Sequence, residues 1–199
     1  MSVAEVSLFP GNEANRMAVT TRMTLDEFLN MRDDEKPALE YACGEVTQKP
    51  MPNRLHATIQ GYLLVVMHPF LKASGLGYAL PEFRCIFGPP GRVRVFVPDL
   101  VYVARERLTA DLYLHAAPDL AIEIISAGQN MARLLDKVQF YLLNGVRLVW
   151  VIDPDAETIA VLKPGQEGRT LTAGDVLDGG DVLPGFSVAV DEIFAQTKV

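Results

Sequence analysis

The chain has 199 residues, with 18 basic and 25 acidic side chains for a net charge of −7, and 49% of its residues are hydrophobic against 22% charged. Those proportions exclude a disordered or solvating chain, and the length suits one domain able to bury a layered core. The net acidity argues against coating nucleic acid by overall charge, and no apolar run approaches the roughly 18–20 residues of a membrane span.

Residues 1–20 mix small and polar types without periodicity and read as a flexible N-terminal arm. Glu5 and Glu13, with no basic start or apolar stretch beside them, match no secretory signal. Residues 21–199 are expected to form a single domain. Thr24 followed by Glu27 reads as a capping box opening a short helix that carries Leu25, Phe28 and Leu29. Tyr41, Cys43 and Val46 around Gly44 suggest a hairpin turning at Cys43-Gly44, stopped by Pro50, Pro52 and Asn53. From His56 to Ser74, Ile59, Tyr62, Leu63, Val66, Met67, Phe70 and Leu71 recur at helical spacing. Pro69 is expected to kink or shorten that helix, and Gly75 to end it.

Residues 78–87 read as one strand, closed by a turn at Gly88-Pro89-Pro90-Gly91. Val93, Val95 and Val97 alternate along the next, and Pro98-Asp99 leads into Leu100–Val103. Leu120–Ser126 is almost wholly apolar but holds Glu123. Leu134, Leu135, Val138, Tyr141 and Leu142 make a helix of residues 130–144, and another apolar strand follows at Leu148–Ile152. That strand–helix–strand order predicts a parallel crossover. Residues 158–162 should pair beside it, and residues 182–194 should supply a closing strand and short helix. The expected class is α/β or α+β, a mixed sheet flanked by helices. The two cysteines, Cys43 and Cys85, give no disulfide framework or zinc spacing, so reduced thiols and a cytoplasmic location are expected.

Two acids sit where a fold would not place them unaided. Strand alternation puts Leu120, Ile122 and Ile124 on one face and Ala121, Glu123 and Ile125 on the other, so both faces look buried. A carboxylate there costs several kcal/mol unless a cation or donors compensate it. Asp99 and Glu123 on neighbouring strands suit a hard divalent cation. Glu123 paired with Arg84 or Arg94, and Asp99 as plain turn chemistry, are the structural alternatives. Arg133, Lys137 and Tyr141 share one helix face.

Pro98-Asp99, then Glu123 on an apolar strand, then Lys137 resembles the PD-(D/E)xK nuclease superfamily. More closely, the chain resembles the Uma-type restriction endonuclease family across roughly residues 23–195. Residues 23–29, Gly44-Glu45-Val46, residues 97–103, 117–126 and 137–146, Val149–Pro154 and Leu183–Phe186 with Glu192–Phe194 carry the likeness. The resemblance implies a restriction-endonuclease-like mixed sheet with an extra N-terminal helix and hairpin. It also implies that Asp99 and Glu123 bind Mg2+ or Mn2+, that Lys137 and Glu45 join them catalytically, and that His56, Glu40, Ser126 and Tyr141 support them. The strict motif would put lysine at Ile125; the Uma-type pattern takes it from the following helix. Cys43 and Arg133 replace acidic residues usual in the family, and Ser126-Ala-Gly replaces Ser-Pro-Ser.

The expected activity is metal-dependent hydrolysis of DNA by a homodimer, with Arg84, Arg92, Arg94 and nearby Lys72 as a weak DNA-contacting strip and no membrane association. The alternative is a catalytically inactive nuclease-fold protein that binds nucleic acid or acts as a scaffold. A glycosidase acid/base pair ranks last, because clustered aromatic residues for sugar stacking are few.

Overall fold

The computed structural model describes residues 21–31 and 37–198, so the arm expected at residues 1–20 lies outside the described residues. The chain forms a mixed α+β fold built on two main sheets. The first has the order β1 (Thr21–Arg22), β3 (Glu45–Gln48), β2 (Leu39–Ala42), β6 (Arg94–Phe96), β5 (Cys85–Phe87), all antiparallel. The second runs β11 (Arg169–Leu171), β10 (Thr158–Leu162), β9 (Leu148–Asp153), β8 (Leu120–Ile124), β7 (Leu100–Ala104), β4 (Gly77–Pro81). Only its β8–β9 pair is parallel, joined over α3 (Met131–Leu143) as the crossover reading requires. A small antiparallel ribbon, β12 (Val176–Asp178) with β13 (Ser187–Ala189), precedes α4 (Val190–Ala195).

Local chemistry explains the element ends. In α1 (Leu25–Leu29), the Glu27 amide donates to Thr24 Oγ1 at 3.2 Å while the Thr24 amide donates to Glu27 Oε2 at 2.7 Å, a closed capping box. Cys43 and Gly44 take φ of 51° and 89°, the left-handed pair of a tight hairpin turn. Asn53 caps α2 (Arg54–Ser74) through the His56 amide, and Gly75 ends it at φ 69°.

Of the kink or shortening expected at Pro69, the shortening does not occur, and α2 runs on to Ser74. The carbonyl Pro69 leaves without an amide partner is that of Val65, whose residue is 68% exposed, so water can satisfy it. The single strand expected at residues 78–87 is also corrected. It breaks after Pro81, where Glu82 turns left-handed at φ 46°, and the chain passes from the second sheet (β4) to the first (β5).

The core divides by sheet face. Leu120, Ile122 and Ile124 of β8 join Leu100, Trp150 and the Ile59–Leu63–Met67 stripe of α2. Ala121 on the opposite face joins Val101, Val149, Leu134, Val138, Tyr141 and Phe96 under α3. Phe28 of α1 covers Tyr41, Val46 and Val95 on the far face of the first sheet. Leu135, expected in the apolar set of α3, is instead exposed, because Leu134, Lys137, Val138 and Tyr141 form the inward face.

A packing prediction follows at Gly77, paired with Ala104 of β7. A Cβ there would lie 2.2 Å from the Val103 carbonyl oxygen and 2.9 Å from Ala104 Cα, both backbone. Gly77→Ala should lower unfolding free energy by about 1–3 kcal/mol in urea titration; an unchanged midpoint would contradict this packing. Among the described residues no helix is long and apolar enough to cross a membrane.

Candidate active site

The two sheets meet where the chain passes from β6 to β7 through Val97-Pro98-Asp99. Pairing of Leu100 with Ile122 and Val101 with Ala121 sets the antiparallel register of β7 on β8. Continued by one residue, that register sets Asp99 opposite Glu123. Asp99 is 3% exposed and Glu123 2%. The Asp99 side chain also ties back to β8: Oδ2 accepts the Ile124 amide at 2.7 Å and lies 3.2 Å from His56 Nε2.

The first sheet contributes from the other side. Alternation in β2 turns Leu39 and Tyr41 to the core under α1 and leaves Glu40 on the opposite face. In β3, Val46 is buried, while Glu45, Thr47 and the following Lys49 share the other parity and line the cleft. Glu40 Oε1 accepts the Val97 amide at 2.9 Å, fastening β2 to the segment that leaves β6.

Lysines, not the arginines considered from sequence, neutralise the acids. Lys137 Nζ reaches both oxygens of Glu123 at 2.9 and 3.0 Å and Glu40 Oε1 at 2.7 Å. Tyr141, one helical turn on, donates its hydroxyl to Glu123 Oε1 at 2.8 Å. Lys49 Nζ lies 2.7 Å from Asp99 Oδ1 and 2.7 Å from the Val97 carbonyl oxygen. Arg84 is buried against the Phe28 and Tyr113 rings, and Arg94 lies over Phe140 with Asp136 as its ion-pair partner.

The electrostatics follow from this pairing. Burial alone would raise the Asp99 carboxyl, but Lys49 and His56 outweigh it and hold the group well below the usual carboxylate range. At Glu123 burial prevails: it lifts the carboxyl to about 6, against the pull of Lys137 and with Asp99 adding to the rise. Burial disfavours the charged form of Lys137, yet Glu123 and Glu40 raise it above the ordinary lysine range, so it is a fixed cation. Burial, then Glu123, push the Tyr141 phenol well up, keeping it a hydroxyl donor.

These side chains line a cleft of about 780 Å³ that includes Glu40, Lys49, His56, Asp99, Glu123 and Lys137. Glu45 stands exposed at its rim, and Ser126 and Arg133 also border it. The structure therefore brings together Asp99, Glu123, Lys137, Glu40, His56 and Tyr141. It separates Lys72, which lies sixteen residues beyond His56 on α2, about 24 Å at ~1.5 Å per residue. Burial and ring contacts hold Arg84, and Asp136 engages Arg94, which leaves exposed Arg92 as the outward member of the expected strip. Lys49 is the residue that sequence reading missed; its parity with Glu45 and Thr47 is the signal that marks it. Asp119, buried at the other end of the β8 region, accepts the Ala104 amide and pairs with Arg107, a structural role.

Fold and cleft together define a nuclease-type α+β protein. The solved structure of a putative nuclease belonging to DUF820 from Anabaena variabilis ATCC 29413 is similar to it with a TM-score of 0.81 and 29% identity, covering 87% of this chain and 98% of that one. A family model described as "Uma2: Putative restriction endonuclease" matches residues 25–191, and the chain belongs to that family. No curated protein matches it.

Proposed function

We propose that this protein is a cytoplasmic, metal-dependent endonuclease that hydrolyses DNA phosphodiester bonds in the cleft between its two sheets, residues 21–199 working as one domain. The observation that carries this reading is the β7–β8 register, which sets two buried carboxylates opposite each other beside a buried lysine. A buried acid is costly unless compensated, and this fold commits Lys49, Lys137 and Tyr141 to keeping the two there.

The donor set fits a divalent cation. Among the described residues no group of three or more His, Cys, Asp or Glu makes a closed metal cage. Magnesium asks for less: one or two carboxylates, with water and substrate phosphate oxygens completing its shell. Asp99 and Glu123 supply those carboxylates. When bound, the cation supplies Lewis-acid charge that polarises a phosphoryl oxygen and makes an attacking water more acidic.

The chain's own residues do the rest. The Ile124 amide and His56 fix Asp99, and Tyr141 fixes Glu123. Lys137, held between Glu123 and Glu40, presents a permanent positive charge where negative charge grows on the phosphate oxygens. Glu45 stands at the rim as a further carboxylate, with Ser126 on the border, and Arg92 with Arg133 are the exposed cations available to neighbouring phosphates. Water adds to phosphorus, and the sugar oxygen leaves with a proton. A two-fold homodimer would bring one such site to each strand of a duplex.

The family and the Anabaena structure support the nuclease class. One observation favours the non-catalytic alternative: lysines already neutralise both acids. Supercoiled plasmid incubated with Mg2+ or Mn2+, against an EDTA control, separates the two. Nicking that requires the metal is the expected outcome; intact plasmid together with no calorimetric Mn2+ binding would favour the scaffold.

A further inference from the structure

Resting on the proposed role of Asp99 in holding the cation, the geometry points to Lys49 as a resident counter-ion that competes with the divalent metal for Asp99 and so sets the protein's metal affinity. The two ammonium groups, one buried on Lys137 and one half-buried on Lys49, are held differently. Lys137 comes from a helix and bridges two carboxylates, Glu123 and Glu40. Lys49 holds one carboxylate oxygen and one backbone carbonyl, both at 2.7 Å, from a position just past the last β2–β3 pair, Leu39 with Gln48. Its stem is long and its backbone stays tied to Ala38 through the amide (2.9 Å), so the side chain alone can swing into the cleft while the strand and the Lys137 network stay whole.

The oxygens of Asp99 point the same way. Oδ2 is engaged by the Ile124 amide and His56, whereas Oδ1 has Lys49. A cation approaching Asp99 therefore meets the ammonium on the oxygen it needs. Charge arithmetic shows why the exchange is tolerated. Setting His56 aside, Asp99, Glu123 and Glu40 against Lys49 and Lys137 leave −1. A divalent ion takes this inner cluster of five to +1, which a phosphodiester returns to neutrality. The displaced ammonium thus has an incoming phosphate to face, and the pairing that stabilises the metal-free protein is also what holds metal binding weak.

The test measures Mn2+ binding without DNA, by calorimetry and by the electron paramagnetic resonance signal of free Mn2+. The proteins compared are wild type, Lys49→Met, Lys49→Gln, Lys49→Arg and Glu123→Gln. Removing a charged neighbour of a metal ligand changes affinity on the order of ten- to hundredfold, here in the tightening direction for Lys49→Met. Lys49→Gln, which can still donate to the Val97 carbonyl, should tighten likewise if the Met variant fails to fold. Lys49→Arg should restore weak, wild-type binding, an outcome that mere loss of packing would not give. Unchanged or weaker binding in folded Lys49→Met or Lys49→Gln overturns the inference. If Glu123→Gln abolishes binding in that case, the metal reading survives without Lys49; if no protein binds Mn2+, both fail.

Discussion

Asp99→Asn should slow metal-dependent DNA cleavage by roughly 10³-fold. Losing one carboxylate ligand removes several kcal/mol of charge stabilisation from the transition state, and each 1.36 kcal/mol is a factor of ten. The amide keeps one oxygen for the Ile124 N–H but leaves the Lys49 ammonium without its anion. Some stability is therefore lost with the activity, and the two effects must be separated. The double variant Asp99→Asn/Lys49→Met removes both charges, a change that buried ion pairs often tolerate. It should melt near wild type yet stay inactive. Initial nicking rates measured well below each melting midpoint decide the matter. Wild-type cleavage by either variant would remove Asp99 from the catalytic set.

Lys137→Met should be the most damaging single change to the fold among the cleft residues. It strands Glu123 and Glu40, and breaking a buried pair by removing one partner costs about 3–5 kcal/mol. The loss should depend on pH in a stated direction. With the folded Glu123 carboxyl at about 6 against an ordinary 4.5, the folded state retains a proton that the unfolded chain has released. Ionisation of Glu123 therefore works against folding as pH rises through that window, and Lys137 limits this cost. Without Lys137 the carboxyl is pushed higher still. The stability gap between wild type and Lys137→Met should accordingly be smaller at pH 5, where the lost Glu40 pair remains its main part, and approach its full size by pH 8. Urea titrations at both values measure it; a gap independent of pH would show that the lysine acts by packing alone.

Much of the fold was legible because periodicity and turn chemistry act locally. The α2 stripe, the Cys43-Gly44 turn, the alternating faces of β8 and the crossover through α3 each rest on spacing within a short window. The break at Glu82 does not, since a left-handed glutamate carries no sequence signature and the sheet it leaves is decided by distant partners. Segments β11 and β12 lie among glycines and charged residues whose apolar content is too low to mark a strand. At the site, the oddity of Glu123 in an aliphatic run pointed to the right strand, and Lys137 came from the family likeness. Its burial was harder to foresee, because a helix lysine is ordinarily solvated. Arg84 and Arg94 looked like the natural partners for Glu123, but the aromatic rings of Phe28, Tyr113 and Phe140 hold them.

The cleft joins Glu40 to Lys137 across 97 residues of chain. A ribosome making this protein therefore releases the N-terminal hairpin long before the helix that completes the constellation. Truncated products ending ahead of α3 would carry Asp99 and Glu123 but no neutralising ammonium from Lys137. The charge balance of the cleft is therefore completed only once α3 has been made and folded back onto the hairpin.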